Sequence, residues 1–258
     1  MNCQEIIKII EANYDKNYAL DWDNVGLLVG RSDREVRTIY IALDATEDVI
    51  NHAIAEKADF LITHHPMIFN SIKTVTDEDF IGNKIIRLIE NNISYYAMHT
   101  NYDVVGMADL AGEILGLEES KPLEITSEDA TKGIGKVADL QKPLFLGEYA
   151  KLVKKQFNLD NVRIFGNLNT KIVRVAISPG SGNGMTDEAI REGANLLITG
   201  DISHHQGIDS VDRGLNIIDA GHYGLEHIFI KDIEEFLSKN IKGVNIKLEP
   251  INHPFKVI

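Results

Sequence analysis

The sequence predicts an α/β protein made of two similar α/β lobes that arose by internal duplication. Short apolar runs of strand length alternate with segments of helical periodicity along the chain. The segment AIAEKADFLIT (53–63) aligns without gaps on AIREGANLLIT (189–199), with seven of eleven positions identical. Two unrelated helix–strand segments do not share that much. Downstream, AMHTNYD (97–103) aligns on AGHYGLE (220–226), which sets His99 on His222 and Asp103 on Glu226.

Taken in order, MNCQEIIKII reads as an amphipathic helix and not as a signal peptide, because the acidic Glu5 interrupts it. IYIAL (39–43) is a predicted strand. A helix follows from Thr46 to Lys57, with Thr46 as N-cap and Glu47 and Asp48 in the first turn. DFLIT (59–63) and ISYYAM (93–98) are the next strands. In the second half KIVRVAI (171–177), NLLIT (195–199) and NIIDA (216–220) are strands, and Thr186 opens a helix to Gly193 with the same Thr-acid-acid start. The polar stretch EESKPLEITSEDATKG marks the expected boundary between a first lobe, 1–125, and a second, 126–258.

Composition narrows the function classes. The 258 residues carry a net charge of −13, and no Lys/Arg cluster is present to neutralise phosphates, so there is no strong nucleic-acid signal. No apolar run reaches the length of a membrane span. The single cysteine, Cys3, makes no intrachain disulfide or thiolate cluster, and a reducing, cytoplasmic setting is expected.

The chemistry concentrates at strand carboxyl ends, where α/β units gather their ligands. Thr63-His64-His65, His99 to Asp103 and His222 to Glu226 all fall there, so a metal site is expected in the cleft at those ends. His222 and Glu226 are four apart, on one face of a helix read as HYGLEHIFIKDIEEFL, and lie within its apolar stripe of Leu225, Phe229, Ile233 and Phe236. A carboxylate and an imidazole turned toward a core need a partner, and a divalent cation is one; a pair that merely closes the helix start is the other reading. His64 and His65 precede Pro66, which forces extended or turn geometry, so the two imidazoles can serve neighbouring metals or be ordinary loop residues. Asp103 by itself reads as a helix N-cap. His64, His65, Asp103, His222 and Glu226 make five ligands. If one carboxylate bridges, each of two metals receives three, leaving open positions for water. Histidine and carboxylate without thiolate suit Zn, Fe or Mn.

Two further features are weaker. The Gly-rich turn SPGSGNGM (178–185) either cradles an anion or supplies positive φ; no Lys follows, so it is no Walker A loop. In TGDISHHQ (199–206), Asp201 aligns with His65, and Asp201, His204 and His205 read either as groups behind the ligands and proton shuttles or as a surface loop.

With DWDNVGLLVG (21–30), LITHHPMIF (61–69), HTNYD (99–103), the Gly-rich turn and GHYGLEHI (221–228), the chain resembles the dinuclear-metal-centre, or Nif-three-like, family, whose members are named type-2 GTP cyclohydrolase I homologues. The resemblance covers nearly the whole chain. It implies two related lobes around a two-metal cleft and a ring-shaped homohexamer. It implies His64, Asp103 and Glu226 on one metal and His65, His222 and Glu226 on the other, with Glu226 bridging. It leaves His99 outside the ligands, whereas duplication makes His99 the counterpart of His222. The extra domain that some members carry between the lobes is missing. Trp22, Asp23 and Asn24 are prominent in the resemblance, but their chemistry suggests only packing and a turn. The implied activity is hydrolytic opening of the GTP imidazole ring with release of formate, with His204 or His205 moving protons. A nucleotide phosphoesterase, a metal-handling protein without turnover and a hexameric scaffold remain alternatives.

Overall fold

The computed structural model describes residues 1–258 except residue 183. The strands are β1 (Gly26–Val29), β2 (Thr38–Ala42), β3 (Phe60–Thr63), β4 (Ser94–Ala97), β5 (Lys121–Ile125), β6 (Gly133–Phe145), β7 (Arg163–Phe165), β8 (Lys171–Ser181), β9 (Leu196–Gly200), β10 (Asn216–Asp219) and β11 (Asn245–Leu248). The helices are α1 (Cys3–Asn13), α2 (Glu47–Ala55), α3 (Phe80–Glu90), α4 (Thr100–Tyr102), α5 (Ala108–Ile114), α6 (Leu146–Gln156), α7 (Met185–Arg191), α8 (His204–Asp212), α9 (His222–Glu226) and α10 (Ile228–Asn240). A π-helical turn, Asp103–Met107, joins α4 to α5. No helix among the described residues is long and apolar enough to cross a membrane. The mixed α/β class is as the sequence predicts.

The chain forms two compact units. One is Met1–Tyr102 with Phe229–Ile251; the other is Asp103–Ile228 with Asn252–Ile258. They are not the sequence halves 1–125 and 126–258. EESKPLEITSEDATKG is not a linker: it forms β5, a tight turn and the start of β6, with Leu123 buried in the pair and Ser127 Oγ accepting from Lys132 N at 2.9 Å. The first unit recovers 229–251 because β11 pairs in parallel with β2, Asn245 opposite Thr38 and Leu248 opposite Ile41.

In the first unit the strand order is β1-β4-β3-β2-β11, parallel except where β1 meets β4. Strands buried on both faces read as continuous apolar runs, and β3 and β4 are buried at every position. The core gathers Ile50, Ala53, Leu61, Leu88, Tyr95 and Ala97. Thr46 caps α2 by accepting from Val49 N at 3.2 Å. In the second unit the order is β5-β6-β8-β9-β10-β7, with β8, β9 and β10 parallel, and the core gathers Leu123, Val137, Ala176, Leu197 and Ile217.

Three local expectations change. Thr186 does not cap α7: Gly184 does, at φ 89° with no side-chain bond, and Thr186 lies inside the helix. Asp103 is not an N-cap, because helical geometry already begins at Thr100. The helix expected as one piece from His222 breaks at His227 into α9 and α10.

The start of α4 is instead capped from a distant loop. Asp23, its side chain fully buried, accepts from Thr100 N at 2.9 Å, Thr100 Oγ1 at 2.5 Å and His99 Nδ1 at 2.9 Å. Burial works to raise its pKa, but the bonds from His99 and Thr100 outweigh that and hold the carboxyl at about 2. Asn24 completes the loop by donating to Ile68 O at 2.6 Å.

The duplicated segments share detailed geometry. The helix-to-strand turn is closed by Ala58 N to Ala53 O and by Ala194 N to Ala189 O, both at 2.9 Å, with positive φ at Lys57 (53°) and Gly193 (72°). The downstream match shifts by one residue. Thr63 faces Ala97 and Thr199 faces Asp219 in the ladders, so strand register places His99 on Gly221 and not on His222.

Two predictions follow from this geometry. A Cβ at Gly193 meets nothing within 4 Å, so Gly193→Ala isolates the conformational penalty. It should cost about 1–2 kcal/mol in urea unfolding, while Lys57→Gly should be neutral or stabilise by up to about 1 kcal/mol; equal losses in both would contradict the shared turn. Because the folded pKa of Asp23 is depressed, its contribution is complete above the unfolded value and is lost as pH falls through the folded one. Asp23→Asn should cost about 2 kcal/mol at neutral pH, with the gap to wild type shrinking between about pH 4 and 2. A gap independent of pH would refute the assignment.

Candidate metal centre

In the first unit, the His64-His65-Pro66 turn leaves the carboxyl end of β3. The His64 and His65 amides both donate to Leu43 O, at 3.2 and 3.0 Å. Tyr95 fixes the turn from below: its hydroxyl lies 2.8 Å from Thr63 Oγ1, accepts from Met67 N at 2.8 Å and donates to His65 O at 3.0 Å. Burial pushes the Tyr95 phenol up to about 12, so it remains a donor at neutral pH.

The imidazoles are oriented in one manner. His64, 0% exposed, has Nδ1 2.9 Å from Met98 O. His65 Nδ1 lies 2.7 Å from Asp44 Oδ1, and His99 Nδ1 lies 2.9 Å from Asp23 Oδ1. A carbonyl only accepts, so His64 carries its proton on Nδ1 and its lone pair on Nε2; a carboxylate imposes the same choice. One ligand-capable atom of each of His64, His65 and His99 lies within 4.8 Å of the others. His99 thus stands beside the predicted histidines although it was expected outside the ligands.

In the second unit, α9 begins just past the carboxyl end of β10. His222 Nδ1 lies 2.9 Å from Asp201 Oδ2, and its Nε2 lies 3.0 Å from Glu226 Oε2, as the four-residue spacing predicts. Glu226 is 3% exposed, and a carboxylate oxygen of Asp103 lies within 4.8 Å of one of its own. The π-helical turn carries Asp103, a distortion frequent at functional sites. Space around this cluster depends on glycine. A Cβ at Gly180, which has φ 80°, would collide with Glu226 Oε1 and come within 3.6 Å of His222 Nε2. Gly180 and Gly184 of the Gly-rich turn supply positive φ, and Gly180 supplies clearance; Asn183 in the same turn lies outside the described residues.

These imidazole nitrogens and carboxylate oxygens could hold a metal ion, and Cys3, buried in α1, adds no thiolate. An imidazole nitrogen 3.0 Å from a buried carboxylate requires a proton or a cation between them. His204 and His205 stand exposed in the first turn of α8, with ring centroids 5.2 Å apart, and belong to no such ligand group among the described residues. Asp201 is placed against His222, as its alignment with His65 suggests. Asp23, which the sequence suggests only as part of a turn, holds His99, and neither Asp44 nor the clearance at Gly180 has a sequence signal: the one is an ordinary turn residue and the other one glycine of several.

The Duf34/NIF3 (NGG1p interacting factor 3) family matches residues 1–254. A Clostridium perfringens (strain 13 / Type A) protein named GTP cyclohydrolase 1 type 2 homolog is 37% identical over 243 residues, 93% of each chain. A Clostridium acetobutylicum protein of the same name is 36% identical over 260 residues, spanning 100% of this chain and 95% of its own. Among solved structures, a Bacillus cereus protein related to NIF3 superimposes with a TM-score of 0.90 at 26% identity, covering 100% of this chain and 99% of that one. A full-length family match, curated relatives of the same length and a shared fold lead to one conclusion: the chain belongs to the Duf34/NIF3 family.

Proposed function

We propose that the protein is a dinuclear-metal-dependent hydrolase that opens the imidazole ring of GTP and releases formate. In this reading His64, Asp103 and Glu226 would hold one divalent ion, and His65, His222 and Glu226 would hold the other, the ligand set that the family resemblance implies. The ions, Zn, Fe or Mn, would supply a water of lowered pKa and polarise the atom that it attacks. The observation that supports this most strongly is the common engagement of Nδ1 in His64, His65 and His222, by Met98 O, Asp44 and Asp201. Metal-binding histidines are oriented in this way, and the backing carboxylates increase ligand basicity.

The remaining steps belong to the chain's own groups. Asp44 and Asp201 keep the His65 and His222 rings from turning, and Gly180 keeps the approach to Glu226 clear. We assign proton transfer in the reaction to the exposed His204 or His205, in the first turn of α8. The substrate assignment draws its support from the relatives' name, GTP cyclohydrolase 1 type 2 homolog. We place the protein in the cytoplasm as a ring-shaped homohexamer; Phe80, Phe145 and Leu168 expose 68%, 52% and 53% of their surfaces, apolar area that an interface would cover.

Elemental analysis of untagged protein purified without chelator should find about two divalent ions per chain, and Glu226→Ala should lose both. Protein reloaded with the metal so identified should release formate from GTP, and Glu226→Ala should not. Absence of metal after reloading refutes the site, and phosphate release in place of formate replaces the cyclohydrolase with a phosphoesterase. Light scattering should give six times the 28.8 kDa chain mass; a monomer refutes the ring.

A further inference from the structure

We infer that Trp22 and Phe69 form an aromatic platform on which the flat heterocyclic ring of the substrate stacks beside His99. The inference rests on the proposed reading of the protein as a purine-nucleotide hydrolase, and it names the side chains that select the base. From sequence, Trp22, Asp23 and Asn24 suggest packing and a turn. In the structure Asp23 and Asn24 build the turn, but Trp22, the chain's single tryptophan, stays 57% exposed. The loop is tied on both flanks of that ring. Leu20 N donates to Thr100 Oγ1 and Asp23 N to Leu20 O, both at 2.9 Å. Asn24 N donates to Asp23 Oδ1 at 2.8 Å, and Asn24 Nδ2 to Ile68 O at 2.6 Å. The last bond joins the loop to the residue before Phe69. The Trp22 and Phe69 rings lie with centroids 5.6 Å apart and planes at 47°, and Phe69 is 51% exposed. A hydrogen-bonded frame thus keeps two large aromatic side chains together in water, which marks a binding surface more than a packing defect.

The pair adjoins the histidines of the first unit. His99 lies 6.0 Å from Trp22 and 6.3 Å from Phe69, centroid to centroid, with planes inclined at 74° and 67°. The same imidazole lies 5.2 Å from His64 and 5.5 Å from His65. His99 therefore touches both the aromatic pair and the turn after β3, so a ring stacked on the pair is held close to the proposed centre. The steep inclinations mean that neither aromatic lies flat on His99, and each keeps exposed surface on which a planar ring can lie. Stacking on an aromatic side chain uses the π-face that every nucleobase has, and it needs no charge. The net charge of −13 does not oppose it. In the proposed reaction the ring that stacks is also the ring that reacts, so the platform orients it. The other occupant of an exposed aromatic pair is a second protein surface. Position favours the ligand: the pair borders the candidate centre, and its two loops are joined before anything binds.

Because Trp22 is the single tryptophan, tryptophan fluorescence reports on this surface alone. The full chain as purified is titrated with guanosine, GTP and inorganic triphosphate. Guanosine and GTP should quench the emission to saturation, and inorganic triphosphate should not. Phe69→Leu should weaken the GTP affinity read from that quench at least about tenfold. By equilibrium dialysis Trp22→Leu should do the same, while Trp22→Phe, which keeps a ring, should retain most of the affinity, with the circular dichroism unchanged in both. No saturable quenching by GTP, equal quenching by inorganic triphosphate, or a GTP affinity that Trp22→Leu leaves unaltered overturns the platform. Emission that follows protein concentration and not nucleotide assigns the pair to an interface between copies and also overturns it. Quenching by GTP without formate release refutes the proposed reaction and leaves the platform standing. Formate release from GTP without quenching refutes the platform alone.

Discussion

The candidate centre depends on one recurring interaction, an acceptor fixed against Nδ1 of a histidine. Met98 O, Asp44, Asp23 and Asp201 play this part for His64, His65, His99 and His222. The effect is twofold: the ring cannot rotate without breaking a hydrogen bond, and a neutral ring so held keeps its lone pair on Nε2. An imidazole so held is pre-organised as a ligand, and ordering it on binding costs little further entropy. The rest of the architecture places these acceptors. Met98 and Asp44 follow strands β4 and β2 at their carboxyl ends, next to the end of β3 that carries His64 and His65.

Around that interaction, backbone geometry does what side chains alone cannot. Tyr95 is the hub of the turn after β3, bonding Thr63, His65 and Met67 through one hydroxyl. In the second unit the equivalent control is exerted by absence. Gly180 lets β8 pass beside Glu226, and Gly200 lets β9 pass beside the His222 amide, where any Cβ would clash. The glycines therefore constrain the site as firmly as the polar residues do.

The duplication shows how a repeated frame carries unequal chemistry. Helix, turn and strand repeat closely from α2–β3 to α7–β9, down to the positive φ shared by Lys57 and Gly193. The match after the next strand is displaced by one position. In a helix one residue is a rotation of about 100°, enough to turn a side chain from one face to another. His99 and His222 are identical in the alignment, yet they occupy different register positions and meet different carboxylates, Asp23 and Asp201.

By itself the sequence determined the α/β class, the strands β2, β3, β4, β8, β9 and β10, the repeat, and the histidines and carboxylates worth testing. All of these rest on local periodicity or spacing: apolar runs for strands and a four-residue interval that brings His222 to Glu226. What only the tertiary structure decided rests on contacts between residues distant in sequence. Asp23 reaches across 77 residues to Thr100. β11 returns to β2, which moves 229–251 into the first unit, and the polar stretch after Glu118 pairs as a hairpin and does not act as a linker. Asp44 and Asp201 become partners of histidines only when strand ends align, and Gly180 acquires its purpose only beside Glu226. The physical reason is the same in each case: composition and period report which face a residue shows, while the partner that face meets is set by chain closure over long range.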